Sequence, residues 1–320
     1  MKPDAGALAA AVAELDDLAQ IDAPLGARTT YRVGGTAAIL VEVGSVADLA
    51  RVAGAVGASG LPTLVLGKGS NLLVADAGVP GIVVVLGAAF ESVAVEGTTV
   101  VAGGATPLPV LARRTAAAAL TGLEWAVGVP GTVGGGVRMN AGGHGSDMAA
   151  TLTGIHRFDL RTGDHEEVAV TELALGYRRS ALDPAHVVVD ASFELRPGDA
   201  ARAGEEVAAI VRWRREHQPG GQNAGSVFTN PPGASAGALV DEAGCKGLRL
   251  GTAQVSTKHA NFIQADAGGA ADDVHALIEV VVARVRSSCG TTLHPEVLRV
   301  GFPSTAAASE GPQPRSEVEG

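Results

Sequence analysis

The distribution of glycine constrains this chain more than any other feature of its sequence. Glycine occupies 44 of the 320 positions, about twice the usual share of roughly 7 %. Eight of the 18 residues in segment 128–145 are glycine, and a shorter group, 67–71 (GKGSN), follows an apolar run. Valine and methionine separate the glycines of the longer segment, which is not typical of a flexible linker. We therefore expect both segments to be packed loops whose backbone approaches another group closely.

Packed glycine loops expose backbone N–H groups, which suits the binding of phosphate groups. Together the two loops favour a cofactor that carries a diphosphate, and an ordinary turn after a strand is the alternative for the first loop. A P-loop is excluded because Pro62 stands where its first glycine should be, and Gly69 stands where Ser or Thr should be. The dinucleotide fingerprint of a Rossmann domain also fails, because Leu72 replaces its third glycine.

Charge and cysteine content exclude several classes of function. Acidic residues outnumber basic ones by 34 to 24, and the net charge of −10 argues against nucleic acid or an anionic membrane as the main partner. The two cysteines exclude a disulfide scaffold and a cysteine-rich metal site, so we expect no metal and a reducing compartment. Glu14, Asp16 and Asp17 interrupt the alanine-rich start, which favours an amphipathic helix over a secretion signal. No apolar run reaches the roughly 18 residues of a membrane helix, and we expect a cytoplasmic protein.

The order of predicted elements indicates an α+β fold in two or three lobes. The patterns predict strands over 38–43, 62–66, 81–86, 153–159 and 187–195, and helices over 46–59, 107–120, 205–216 and 271–289. Thr106 is predicted to cap the helix that starts at Pro107, and a hairpin is expected to turn at Glu96-Gly97. The polar segment from Pro303 onward predicts a disordered tail.

Three further polar groups have no spacing that connects them. They are the segments 177–180, 223–231 and 293–296, which lie far apart in the sequence. Each has an ordinary explanation, since adjacent arginines commonly form a solvated face, Gly-Ser commonly forms a turn, and a glutamate after proline is commonly exposed. Their spacing alone assigns them no joint role.

Taken in order, however, the motifs of the chain resemble one family. They are TTYRVGG (29–35), LGKGSNLLV (66–74), GVPGTVGGGVRMNAG (128–142), YRRSAL (177–182), NAGSVFTNP (223–231), KGLRLGTAQVSTKHANFI (246–263) and LHPEVLRVG (293–301). Each motif alone is weak, but seven in this order are highly specific. The chain thereby resembles the UDP-N-acetylenolpyruvoylglucosamine reductases, the flavoenzymes also called UDP-N-acetylmuramate dehydrogenases, which act in bacterial peptidoglycan synthesis. The resemblance spans residues 25 to 302.

The resemblance implies a three-lobe fold. Residues 21–90 and 91–202 would form the two lobes of an FAD-binding domain of the vanillyl-alcohol-oxidase/PCMH type. An N-terminal extension over 1–20 would precede them. An α+β substrate-binding lobe over 203–302 and the tail over 303–320 would follow. FAD would be bound non-covalently, NADPH would be the reductant, and a monomer is expected.

The resemblance also implies roles for individual residues. The expected cofactor contacts are Gly67, Lys68, Gly69, Ser70, Asn71, Leu72, Gly128, Gly131, Thr132, Gly134, Gly135, Asn140, Ala141 and Gly142. Arg178, Ser226 and Glu296 match the catalytic residues, and Arg178, Asn230 and Gln254 are expected to contact the substrate, UDP-N-acetylglucosamine enolpyruvate. Thr229 departs from a lysine that the family often has there. Arg214, Arg215 or Lys246 could supply the missing contact, and the chain matches the shorter branch of the family.

The chemistry of that family explains why these residue types are needed. Hydride from reduced flavin adds to C3 of the enolpyruvyl group, and negative charge develops at C2 and on the carboxylate. Arg178 would hold the carboxylate, a protonated Glu296 would donate to it, and Ser226 would protonate C2. Two alternatives stay open: an oxidase of the same fold with covalent flavin on His144, and a nucleotide-binding module without catalysis. A serine hydrolase is disfavoured because a G-x-S-x-G elbow is absent.

Overall fold

A computed structural model of the chain describes residues 3–303, which divide around three sheet-based cores. The predicted tail therefore lies outside the described residues, apart from Pro303. The helices of the described part are α1 (Ala5–Leu15), α2 (Val46–Ser59), α3 (Leu108–Ala117), α4 (Val133–Arg138), α5 (Ala200–His217), α6 (Ala236–Glu242) and α7 (Ala271–Cys289). No helix among residues 3–303 is long and apolar enough to cross a membrane.

The strands of the described part are numbered in the same way. They are β1 (Gln20–Pro24), β2 (Thr36–Val43), β3 (Thr63–Val65), β4 (Leu72–Val74), β5 (Val79–Leu86), β6 (Val93–Glu96), β7 (Thr99–Gly103), β8 (Leu120–Thr121), β9 (Gly142–Gly143), β10 (Ser146–Asp147), β11 (Leu152–Asp159), β12 (His165–Ala169), β13 (His186–Glu194), β14 (Arg196–Pro197), β15 (Arg249–Leu250), β16 (Ala253–Val255), β17 (Ile263–Ala265) and β18 (Leu298–Val300).

The first lobe is a four-stranded sheet with the order β1-β2-β5-β3, in which β2, β5 and β3 are parallel. Strand β2 is buried almost throughout, as expected for a parallel strand covered on both faces. Helix α2 begins where the Ser45 hydroxyl accepts a hydrogen bond from the N–H of Asp48, and it ends at Gly60, whose φ is +65°. Its predicted bounds are confirmed.

The second lobe is an antiparallel sheet with the order β12-β11-β13-β7-β6. Helices α3 and α4 pack against it, and α5 packs on α3, with Ala203, Val207 and Ile210 in the same core. The predicted boundary at residue 202 therefore falls within a helix that packs on this lobe. The division of the chain into domains stays a prediction, and this packing favours a boundary near residue 218.

The third lobe combines the small sheet β15-β16-β17 with α6 and α7. One apolar face of α7, which includes Val274, Leu277 and Ile278, is buried, and the helix ends at Gly290, whose left-handed φ of +75° glycine tolerates. Two contacts dock this lobe on the first lobe. Strand β18 pairs in parallel with β4, and the Asp76 carboxylate accepts hydrogen bonds of 3.0 Å from the N–H groups of Ala271 and Asp272.

Three local expectations are corrected by the structure. Helix α3 begins at Leu108, because the Thr106 hydroxyl donates to the carbonyl of Ser92 instead of capping the helix. The β6–β7 hairpin turns at Gly97-Thr98, because Glu96 pairs with Thr99. Segment 128–145 contains a short helix, α4, where only a loop is expected.

Candidate active site

A cavity of about 420 Å³ lies where the three lobes meet. Its wall combines the first glycine loop, the second glycine loop, Arg178, the segment 223–226 and the segment 296–300. A second cavity of about 100 Å³ lies next to it, between the ends of β3, β5 and β13. Segments that are distant in sequence thus meet around two neighbouring cavities.

The first glycine loop lines the larger cavity and has backbone N–H groups that are unpaired within residues 3–303. Within the described part of the chain, no acceptor takes a hydrogen bond from the N–H groups of residues 67–71. Gly69 has φ +57°, and a Cβ there would lie 2.7 Å from both the Arg28 oxygen and the Thr29 Cα. A row of free N–H groups on the wall of a cavity suits a diphosphate, so these residues fit FAD.

The second glycine loop lies against the first. A Cβ on Gly67 would come within 2.7 Å of the Thr132 Oγ1, so the close approach of the two loops requires glycine at that position. The Thr132 hydroxyl in turn accepts a hydrogen bond of 3.3 Å from the N–H of Gly135 at the start of α4. Of the cofactor contacts expected here, Gly128, Gly131, Thr132, Gly135, Ala141 and Gly142 line the larger cavity, and Gly134 lines the smaller one.

Asn140 differs from these residues, and its expected contact with the cofactor stays a prediction. Its buried side chain lines neither cavity. The amide nitrogen donates to the Asp147 carboxylate at 3.2 Å and to the carbonyl of Gly176 at 3.1 Å, and the amide oxygen accepts from the N–H of Ala149 at 3.0 Å. Asn140 therefore holds the loop before Arg178 against the second glycine loop.

Arg178 and Glu296 form an ion pair in the larger cavity. The Arg178 Nε lies 2.9 Å from a Glu296 carboxylate oxygen, and the side chains are 25 % and 15 % exposed. Nη2 of Arg178 donates to the carbonyl of Gly142 at 3.1 Å. Arg178 has φ +56°, an unfavourable backbone conformation of the kind that is concentrated at functional sites.

Burial raises the pKa of the Glu296 carboxyl, and the nearby charge of Arg178 offsets this only in part. The cause is desolvation, which disfavours the charged form of a carboxyl group. Glu296 therefore holds its proton to a higher pH than a glutamate in water.

Ser226 and Glu296 lie on neighbouring backbone segments that pair in antiparallel fashion. The N–H of Glu296 donates to the carbonyl of Val227 at 2.7 Å, and Phe228 bridges to Pro295. The Ser226 hydroxyl lines the cavity and has no hydrogen-bond partner among residues 3–303. Its donor is therefore available to a ligand.

Asn261 holds the backbone segment after Ser226 on the side away from Glu296. The sequence gives no signal that singles out this asparagine. Its side-chain oxygen accepts from the N–H of Phe228 at 2.9 Å, and its side-chain nitrogen donates to the carbonyl of Phe228 at 2.9 Å. Its own carbonyl accepts from the N–H of Val227 at 2.8 Å. The buried Asn261 amide thus satisfies the N–H and the carbonyl of Phe228, two residues after Ser226, as a neighbouring strand would.

The structure distinguishes among the three basic residues considered for the missing lysine. Arg214 lines the cavity, where its Nε donates to the Gln218 Oε1 at 2.9 Å, and no carboxylate pairs with it in residues 3–303. Arg215 is exposed and outside the wall, and Lys246 pairs with Asp241 at 2.9 Å. Burial lowers the pKa of Arg214, as expected for a guanidinium without a neighbouring anion.

Asn230 and Gln254 line neither cavity, and their expected substrate contacts stay predictions. The Asn230 Oδ1 accepts from the N–H of Ala236 at 3.0 Å, which holds the start of α6. The Gln254 Nε2 donates to the carbonyl of Gly247 at 3.2 Å. Both side chains are used within the third lobe.

The geometry disfavours His144 as a site of covalent flavin attachment. The His144 ring lies edge-on to Trp213, with centroids 5.1 Å apart, and lines neither cavity. Among the described residues there is also no group of three or more His, Cys, Asp or Glu side chains that could hold a metal ion.

Comparisons with known proteins match this architecture. Residues 37–169 match a family model for an FAD binding domain, and residues 217–300 match one for the UDP-N-acetylenolpyruvoylglucosamine reductase C-terminal domain. The FAD-binding match, together with the mixed strands and helices, confirms the predicted α+β fold class.

Relatives and a solved structure match over most of the chain. The UDP-N-acetylenolpyruvoylglucosamine reductase of Rubrobacter xylanophilus is 41 % identical, covering 89 % of this chain and 96 % of the relative. That of Synechococcus sp. strain CC9311 is 43 % identical, covering 89 % and 94 %. The crystal structure of UDP-N-acetylenolpyruvylglucosamine reductase from Thermus caldophilus is 36 % identical and covers 88 % of this chain and 99 % of that chain, with a TM-score of 0.77.

The two hydrogen bonds between the Asn261 side chain and the backbone of Phe228 lead to a prediction about stability. Asn261→Ala leaves the buried N–H and carbonyl of Phe228 unpaired, so we expect a loss of about 2–3 kcal/mol in the free energy of unfolding. Asn230→Ala removes a single hydrogen bond at an exposed position and serves as the matched control, with an expected loss below about 1 kcal/mol. Urea denaturation measures the free energy of unfolding of both variants. Equal losses for the two would contradict the stabilising role of the Asn261 hydrogen bonds.

Proposed function

This chain belongs to the UDP-N-acetylenolpyruvoylglucosamine reductase family, and from that premise we propose how its cavity works. The family uses FAD and NADPH, and its reaction reduces UDP-N-acetylglucosamine enolpyruvate to UDP-N-acetylmuramate for peptidoglycan synthesis. The observation that carries the proposal is the Arg178–Glu296 pair, which shares one cavity with the Ser226 hydroxyl and the free N–H groups of the first glycine loop.

The glycine loops would hold FAD, which supplies hydride chemistry when it is bound. The free N–H groups of residues 67–71 support this assignment, because these residues line the cavity and their N–H groups have no acceptors among residues 3–303. Thr132 and the glycines around it complete the wall opposite them.

Arg178 and Glu296 would bind the enolpyruvyl carboxylate and stabilise the negative charge that develops on it. A guanidinium is always charged and presents a planar fork to a carboxylate. Glu296 donates a hydrogen bond only in its protonated form, which its buried position favours. Fixed donors of this kind typically contribute about 3–4 kcal/mol each to transition-state stabilisation.

Ser226 would deliver the proton to C2 of the substrate. A hydroxyl is a weak acid, but a carbanion at C2 is a strong base, so the transfer is chemically reasonable. The unpaired hydroxyl and the rigid backbone on either side of it support this role, because a proton donor must be held within reach of one carbon atom.

Arg214 would take the place of the lysine that the family often has at position 229. It is a partly buried guanidinium on the cavity wall with no carboxylate partner among the described residues, which suits the diphosphate of the substrate. The use of a nucleotide sugar and NADPH supports a cytoplasmic location.

Ser226→Ala tests the proton donor. We expect NADPH to reduce the bound flavin at a rate within about twofold of wild type, while reoxidation by the enolpyruvyl substrate slows by about 10²–10⁴. Stopped-flow absorbance measures the two half-reactions separately. Ser235→Ala, outside the cavity at the start of α6, should leave both unchanged, and normal reoxidation in Ser226→Ala would show that another group donates the proton.

The raised pKa of Glu296 predicts that the second half-reaction, the reoxidation of the flavin by the enolpyruvyl substrate, depends on pH. The donor form is present below the raised pKa and is lost as pH rises through it, so the rate of flavin reoxidation should fall with increasing pH. Glu296→Gln keeps a neutral N–H donor at every pH, so its slower rate should be independent of pH over this limb. A variant profile that falls in parallel with wild type would assign the titration to another group.

Arg214→Met tests the diphosphate contact. Loss of charged hydrogen bonds should raise KM for the nucleotide sugar by about ten- to a hundredfold and change kcat much less. Arg215→Met removes the same charge from the exposed next position and should leave KM unchanged. An unchanged KM in Arg214→Met, or a loss of bound FAD from it, would contradict a contact with the substrate.

A further inference from the structure

Six residues line both cavities and mark the junction between them: Val65, Gly67, Lys68, Thr132, Gly135 and Arg138. Two of them are charged. Lys68 is half exposed and lies 3.9 Å from a carboxylate oxygen of Glu91. Arg138 is the other cation, and it is the last residue of α4.

The Arg138 guanidinium has no hydrogen-bond or ion-pair partner in the part of the chain that the structure describes. Across residues 3–303, no carboxylate lies within ion-pair distance of it, and no side chain or carbonyl accepts a hydrogen bond from it. Burial lowers its pKa, and the charge of Asp183 acts in the opposite direction. A partly buried guanidinium left without an anion is costly, because its desolvation is not compensated.

The acidic groups near Arg138 already pair with other residues. Asp183 lies 2.8 Å from Arg161 and 3.6 Å from His186, and it also accepts a hydrogen bond of 2.8 Å from the N–H of Ala185. Glu91, which also lines the smaller cavity, faces Lys68. The charge of Arg138 is therefore free for a ligand.

The backbone that carries Arg138 is fixed. The Ser180 hydroxyl donates to the Arg138 carbonyl at 2.7 Å and accepts from the N–H of Leu182 at 3.3 Å. Helix α4 itself packs on β13 and β7. The side chain thus starts from a rigid point at the junction of the two cavities.

We propose that Arg138 is the charged partner of the FAD diphosphate, held at the junction of the two cavities opposite the free N–H groups of residues 67–71. FAD carries its diphosphate between two bulky ends, and a junction between two cavities would suit such a group. The glycine loops supply neutral donors, and Arg138 adds the full positive charge that a dianion needs. This inference rests on the proposed function, because it takes FAD as the resident cofactor.

The test measures FAD binding to the full-length protein after removal of its flavin, by titration of flavin fluorescence. We expect Arg138→Met to weaken FAD binding roughly tenfold to a hundredfold. We expect a shallower dependence of affinity on salt, because one charge has been removed from the contact. Riboflavin, which has no phosphate, should bind wild type and variant equally. Arg114→Met, an exposed arginine on α3, is the charge-matched control and should bind FAD as wild type does.

Thermal unfolding separates this role from a structural one. Without FAD, Arg138→Met should unfold at the same temperature as wild type or higher, because an unpaired buried charge has been removed. With FAD, the variant should gain less in Tm than wild type. A structural role would lower the Tm of both forms, and that result would overturn the proposal.

The two proposals fail in distinguishable ways. If wild type does not bind FAD, the proposed function is wrong. If wild type binds FAD and Arg138→Met binds it as tightly, only the role of Arg138 is wrong. Equal weakening of FAD and riboflavin in Arg138→Met would also overturn it, because the loss would then not concern the diphosphate.

Discussion

The backbone pairing around Glu296 holds the site together. The N–H of Glu296 donates to the carbonyl of Val227, which is next to Ser226. The carbonyl of Glu296 accepts a hydrogen bond of 3.2 Å from the side-chain amide of Asn71 in the first glycine loop. Strand β18 then continues in parallel with β4. One short segment therefore connects the expected proton donor, the expected cofactor loop and a buried carboxyl. Movement of this segment would shift the expected proton donor, the expected cofactor loop and the Glu296 carboxyl relative to one another.

Partly buried charge is the second feature of the site, and two of its charged groups have no carboxylate partner among residues 3–303. Arg214 and Arg138 line cavities as partly buried guanidinium groups, and Glu296 has a raised pKa in the same region. Each costs stability in the free protein, since desolvation disfavours charged groups. Such an arrangement is typical of sites that bind anions and stabilise developing charge.

The sequence predicted the elements with strong periodicity. The bounds of α2 and α7 agree with expectation because apolar spacing and capping residues point to the same ends. Helix α4 was missed because three consecutive glycines have low helix propensity, and packing against β13 and β7 overrides that preference. The motif of Asn140 predicts a cofactor contact, and only the tertiary structure shows that its side chain also hydrogen-bonds to Asp147 and Gly176.

By itself, the sequence determined the α+β class, the two glycine loops and, through the order of its motifs, the family. Those properties depend on local patterns and on residue identity. The tertiary structure decided which polar groups meet: it brought Arg178, Ser226 and Glu296 to one cavity, and it directed Asn230 and Gln254 elsewhere. It also decided which charges remain unpaired. The physical reason is that burial and pairing depend on neighbours from distant segments, which spacing along the chain does not contain.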